Sequence, residues 1–201
     1  VPRSAEVAVA TPSLEFAGPG KRGRMTLREQ LDSSASAVTG KDGRSYAVRP
    51  IRPSDAPSLM RGYDAMTDAS KWFRMLHSVP HLTDEMALEF CMPDPKRDLC
   101  VVLEGWGELE GEILGGARIT GAPDGTSCEF SVSLRPEAQE LGLARQALET
   151  VFAVAKEMGY TRIWGSIHEL NEPMLHLAES LGFTVRRDPD DLSLMKAELS
   201  I

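Results

Sequence analysis

The stretch from residue 127 to residue 168 constrains the fold more than any other part of the chain. It opens with an alternating run, SCEFSVSLRP (127–136), and passes through QELGLAR (139–145) into a helical pattern, QALETVFAVAKEMG (146–159). It ends in a second strand-like run, TRIWGSIH (161–168). Apolar residues recurring at period 2, then near 3.6, then again at 2 describe strand, helix and strand. Two strands joined by a crossover helix lie parallel in one sheet, so this segment fixes a parallel pair within the fold.

The segments before it read differently. YAVRPI (46–51), DLCVVLEG (98–105), GEILGGARIT (111–120) and SCEFSVSLR (127–135) are strands, the last two joined by the turn APDG (122–125). Short turns of that kind join antiparallel neighbours. Helices are expected over 52–67, with Ser54 or Asp55 as N-cap, near 69–78, and over 84–92 after Thr83. The crossover helix runs over 144–158, with Gly159 at C′. A further helix spans 171–182, capped by Asn171 and ended by Gly182, before a closing strand at 192–199. Gly115 and Gly116 mark a bulge or a close backbone approach in a central strand. The fold class is therefore α/β (α+β), with a mostly antiparallel front half and one strand–helix–strand unit.

Residues 1–45 are rich in Ala, Ser, Gly and Pro, carry the basic cluster GKRGR (20–24), and read as a flexible leader with one short helix near 25–33. The opening VPRS resembles a protease-site remnant and carries no fold information. The folded domain is expected over 46–201. A net charge of −8 argues against nucleic-acid binding and is compatible with a cationic acceptor. No apolar run approaches bilayer length, and neither a secretory signal nor a CxxC pair is visible. Cys91, Cys100 and Cys128 read as reduced, buried thiols of a cytoplasmic protein. His77 and His81 have i, i+4 spacing, but Pro80 interrupts the helix, so no metal site is expected.

The loop QELGLAR has two readings, a tight strand-to-helix connection or an anion cradle. A helix start offers unpaired N–H groups and the positive end of the dipole. Gly142 lacks the partner glycines of a dinucleotide fingerprint, and no Gly-Lys-Ser/Thr triplet is present.

At this point the chain resembles a family. QELGLA fits the Q/R-x-x-G-x-G/A motif with which GNAT-superfamily acyltransferases bind acetyl-CoA. RPIRPSDA (49–56) resembles the family's opening strand and first helix, and NEPMLHLAESLGF (171–183) resembles its second motif. Within the superfamily the resemblance is to the bacterial Pat-type protein lysine acetyltransferase domain. That group sets a strand like CEFSV ten residues before the cofactor loop, as Glu129 and Gln139 stand here, and carries an aromatic-Arg stretch like KWFRML (71–76).

The resemblance covers about residues 46–200 and implies a GNAT-like mixed, mostly antiparallel central sheet flanked by helices. It implies acetyl-CoA as co-substrate and no metal. The pyrophosphate would lie on Gln139, Glu140, Leu141, Gly142, Leu143, Ala144 and Arg145, and the pantetheine arm along Val132, Ser133 and Leu134. Asn171 would be a cofactor contact as well as a cap. The implied acceptor is a protein lysine, with acyl-CoA synthetases as candidate substrates, and the implied assembly is a monomer or homodimer. Two positions depart from the family's pattern. Glu140 and Leu141 replace the usual Arg and Gly, and Ala178 stands where many relatives place a tyrosine general acid, which leaves the proton donor unassigned.

Glu129 has two readings. It is an exposed strand residue, or it is the general base that the resemblance implies. Acyl transfer needs a neutral amine, and a lysine amine, with a reference pKa of about 10.4, is almost wholly protonated at pH 7. A carboxylate among apolar neighbours has a raised pKa and suits that work. Arg74 is either a substrate-side residue or a structural ion-pair partner. Residues 60–92 are expected to wall the acceptor groove, with Asp64, Asp68, Asp84, Glu85 and Glu89 steering a cationic acceptor. A small-amine acetyltransferase and a non-catalytic acyl-CoA sensor are the alternatives to a protein lysine acetyltransferase.

Overall fold

Strand alternation divides the protein into two faces. The computed structural model describes residues 25–76, 78–105 and 107–201. In β5 (Ser127–Leu134), Cys128 and Phe130 are buried and Glu129 between them is exposed. In β6 (Arg162–His168), Ile163, Gly165 and Ile167 are buried, so Trp164, Ser166 and His168 face the other way. With β1 (Ser36–Thr39), β2 (Ser45–Pro50), β3 (Leu99–Glu104), β4 (Ile113–Gly121), β7 (Thr184–Arg187) and β8 (Leu194–Ser200), these strands form one eight-stranded sheet, ordered β1-β2-β3-β4-β5-β6-β8-β7. Every neighbouring pair is antiparallel except β5–β6. The mixed, mostly antiparallel sheet expected from the sequence is the one observed.

The main core lies on one face, between the sheet and α5 (Leu143–Glu157), with α1 (Leu27–Ser33) and α6 (Glu172–Ser180) beside it. The amphipathic face of α5 buries Leu143, Ala147, Leu148, Val151, Phe152, Val154 and Ala155. Each large side chain buried there contributes roughly 1.5–3 kcal/mol. Phe130, Phe152 and Phe183 meet with ring centroids 4.9–5.8 Å apart. Gly165 lets the Phe130 ring lie against β6, since a Cβ there would stand 2.7 Å from that ring. On the opposite face, α2 (Ala56–Asp64), α3 (Asp68–Met75) and α4 (Asp84–Phe90) cover β3 and β4 around a smaller cluster of Ile51, Cys91, Val102 and Ile113.

The short helix expected near 25–33 is α1, with a capping box from Thr26 and Glu29. Several other elements depart from the sequence-based expectations. β1 adds an edge strand ahead of residue 46. Residues 1–24, including the basic cluster, lie outside the described residues, as do His77 and Trp106. β7 is short and mostly exposed, so it carries no hydrophobic alternation to read. Asp55 does not cap α2 with its side chain; it binds Arg49 through two bonds of 2.8 and 2.9 Å and accepts from the Arg52 N–H. The Arg49 guanidinium also pairs with Glu104, and these carboxylates raise its pKa. Asn171 likewise makes no side-chain cap bond, and Gly182 occupies C′ with φ 90° rather than the cap itself. α3 ends early, at Leu76 in the left-handed region (φ 56°).

The paired glycines do mark a close approach. A Cβ at Gly116 would stand 2.2 Å from the Val101 carbonyl oxygen, and the register of β3 on β4 shifts at Leu103/Glu104. No helix of the described residues is long and apolar enough to cross a membrane.

Candidate active site

The parallel pair is short. β5 and β6 are in register only from Ser127–Arg162 to Glu129–Trp164. Beyond that rung β5 runs on to Leu134 beside β4 alone, and β6 runs on to His168 beside β8 alone. The strands therefore fork, and each turns one backbone edge, with its N–H and C=O groups, toward the gap. Val132, Ser133 and Leu134 lie on the β5 arm of this fork. Glu129 stands at its apex.

Glu129 faces away from the Phe130 core, on the same side as Thr120, its Cα partner on β4, and Trp164, its partner on β6. Solvent reaches the side chain. The surrounding protein still withdraws enough water to raise the carboxyl pKa above its ordinary value, and desolvation is the one cause of the shift. Arg118 lies on this face too, opposite Ser131, fixed by Thr120 Oγ1 at 3.1 Å and Asp98 Oδ2 at 3.2 Å.

The loop between β5 and α5 is shaped by two left-handed residues. Gln139 is extended, and its side-chain amide donates to the Leu134 carbonyl at 3.2 Å. Glu140 has φ 61°, and Gly142, the N-cap of α5, has φ 76° and ψ 3°. The N–H groups of Glu140, Leu141 and Gly142 donate to no backbone carbonyl among the described residues. Leu143, Ala144 and Arg145 follow as the first turn of α5, where N–H groups have no intrahelical partner. Successive free N–H groups around left-handed residues, on the axis of a 15-residue helix, form a concavity suited to a diphosphate. The Glu140 side chain is exposed.

Two placements differ from simple expectation. Arg145 does not turn its guanidinium to the loop; it pairs with Glu149 at 3.4 Å and donates to Ser180 Oγ at 2.6 Å. Arg135 is also committed, to Glu112 and Glu137. The lysine beside the loop is one that sequence reasoning placed in the leader. The Lys41 N–H donates to the Leu141 carbonyl at 3.0 Å, and its side chain passes 3.7 Å from where a Gly142 Cβ would lie. Gln146 ties the same hairpin down by donating to the Thr39 carbonyl at 3.0 Å. Arg118 was missed as well, although an arginine amid small residues in a central strand was a readable signal. Asn171 starts α6 with its side chain uncommitted to a cap. Phe73 of α3 stacks on His168 of β6 with centroids 5.4 Å apart, so α3 reaches across the fork. The three cysteines are free, with Cys91 and Cys128 buried, and no cluster of metal-ligating side chains occurs among the described residues.

Comparison with known proteins places the fold and the family. The acetyltransferase (GNAT) domain family matches residues 47–184. The Pseudomonas aeruginosa acetyltransferase PA5475 is 25% identical over 150 residues, covering 75% of this chain and 81% of its own. Among solved structures, the GNAT domain of S. lividans PAT superimposes with a TM-score of 0.75 at 24% identity, covering 83% of this chain and 97% of that one. Salmonella typhimurium yncA, solved with its cofactor acetyl-CoA, superimposes with a TM-score of 0.61 at 21% identity, covering 77% and 93%. The chain belongs to the GNAT family of acetyltransferases.

Proposed function

We propose that the protein transfers an acetyl group from acetyl-CoA to the amine of a lysine side chain, directly and with Glu129 as general base. The observation that carries this reading is the position of Glu129: a carboxylate of raised pKa at the apex of the fork between β5 and β6. The donor fits this chain's residues in two places. The concavity of Gln139–Arg145 would hold its diphosphate, with Lys41 as a nearby cation. The open backbone edge of Val132–Leu134 would pair with its amide-bearing arm, and Asn171 has a side chain available beside α6. Bound there, acetyl-CoA supplies an acyl group activated as a thioester.

The remaining work falls to the protein. Glu129 takes a proton from the incoming ammonium, directly or through one water, and leaves a neutral nucleophile. Backbone N–H groups on the β5 edge are the donors available to a carbonyl oxygen that gains charge. Ala178 carries no proton to give, so solvent returns one to the departing thiolate. The Pat-type resemblance favours a protein acceptor, acyl-CoA synthetases among them. Incubation with labelled acetyl-CoA, scoring label on lysine peptides, acyl-CoA synthetases and small amines side by side, tests the reading. Label on lysine side chains is expected. Tight acetyl-CoA binding with label on no amine contradicts it and identifies a sensor instead.

A further inference from the structure

α2, α3 and α4 roof a cavity of about 80 Å³ over β3, β4 and β5, on the face that carries Glu129. Its walls are largely apolar, with Leu59, Met66, Leu82 and Phe90 from the roof and Val102 and Gly116 from the floor. Among the described residues three arginines reach the lining, Arg74, Arg118 and Arg135, and no aspartate or glutamate does. Two of the three are neutralised from outside the cavity. Arg135 pairs with Glu112 at 3.1 Å and Glu137 at 3.0 Å, and Arg118 pairs with Asp98 at 3.2 Å.

Arg74 is different. It follows Phe73, which anchors α3 on His168, and it turns into the cavity. Cys100, Arg118 and Tyr63 are the ionisable groups that act on it, and among the described residues no carboxylate and no hydrogen-bond acceptor does. The side chain is partly buried; desolvation lowers its pKa, and the Arg118 charge pushes the same way. A partly buried guanidinium that has no counter-ion among the described residues is less favourable to folding than an apolar side chain in its place. A planar fork of donors matches one kind of partner well, a carboxylate. Arg118 stands two residues along β4 from Thr120, the partner of Glu129, so cavity and base are roughly 7 Å apart along the strand.

We infer that Arg74 sets acceptor specificity by receiving a carboxylate, so that the amine substrate carries an anionic group in this cavity while its amine lies at Glu129. This deepens the transferase reading and rests on it. The carboxylate has two sources with the same chemistry: the α-carboxylate of a free amino acid, or an acidic side chain flanking the target lysine of a peptide.

The test uses matched pairs on the full chain: L-lysine against L-lysinamide, and lysine peptides flanked by Glu against the same peptides flanked by Gln. Turnover is measured with acetyl-CoA, and equilibrium binding of the same compounds is measured independently. The carboxylate member of at least one pair is expected to be preferred about tenfold or more in kcat/KM, the scale of one charge-assisted hydrogen bond. Arg74→Gln should erase that preference through KM, and Arg74→Lys should keep part of it. The pair that discriminates identifies the source. Equal handling of carboxylate and amide by the wild-type protein, in both turnover and binding, overturns the inference even if Arg74→Gln fails to fold. So does a preference that survives Arg74→Gln. Carboxylate-selective binding, lost in Arg74→Gln but with no acetyl transfer to any amine, upholds the cavity and refutes the transferase reading.

Discussion

Glu129 and Trp164 are partners on the last rung of the parallel pairing between β5 and β6, and the two strands separate beyond them. A carboxylate at a fork has apolar sheet on one side and an open backbone edge on the other. That combination raises its pKa while leaving it reachable. The rung therefore joins this carboxylate to the open backbone edge of β5.

Gly142 tests the loop. Its φ of 76° costs a non-glycine residue roughly 1–2 kcal/mol, and more for a β-branched one. A new Cβ would meet only the Lys41 side chain, at 3.7 Å, so the protein itself leaves it room. Gly142→Val is expected to lower acetyl-CoA affinity about tenfold or more, while the melting temperature falls by only about 4–8 °C. Titration calorimetry beside a thermal melt separates the two effects. Unchanged affinity would make the loop a mere connector.

Arg49, Asp55 and Glu104 tie the start of α2 to the sheet, with Asp55 and Arg49 both buried. Removing one partner leaves an enclosed charge without compensation. Asp55→Ala is expected to destabilise by about 3–5 kcal/mol, as for other buried pairs broken on one side. Chemical denaturation reads this, and a loss below about 1 kcal/mol would mean that the network relaxes to solvent.

Asp124 gives a pH signature. The Ser127 hydroxyl and the N–H groups of Thr126 and Ser127 donate to it, and they hold its pKa down at about 2. A folded-state pKa below the unfolded value stabilises the protein fully above the unfolded pKa, and the gain fades as pH falls toward the folded one. The melting-temperature gap between wild type and Asp124→Asn should therefore be constant above about pH 4 and close as pH approaches 2. A gap that stays constant through that window would show that the β4–β5 turn does not depend on the ionised carboxylate.

What the sequence revealed follows from what leaves a local trace. The β5–α5–β6 unit was legible because each element keeps its own hydrophobic period, and Glu129 stood out as the charged residue between Cys128 and Phe130. Gly116 was legible because only close backbone contact explains paired glycines in a strand. Lys41 was not, because what brings it to Leu141 is the pairing of β1 with β2 and the anchoring of Gln146 on Thr39, contacts between segments far apart in the chain. β7 and the Asp55–Arg49 pair were hidden for similar reasons. An exposed edge strand has no apolar face, and a carboxylate immediately before a helix reads as a cap until its partner is seen.

Glu129→Gln under saturating acetyl-CoA, with a lysine acceptor and a full pH–rate profile, tests the account most directly. In the wild-type protein the rate should fall as pH drops through the Glu129 pKa, which lies above the ordinary glutamate value because of desolvation. The variant keeps the shape but accepts no proton, so acetyl-CoA binding should persist while kcat falls on the order of 10²–10⁴-fold near neutral pH. Its acidic limb from Glu129 should vanish, and part of the rate should return at high pH, where the free amine is abundant without assistance. Equal plateaus with the same acidic limb in both proteins would remove Glu129 from the mechanism.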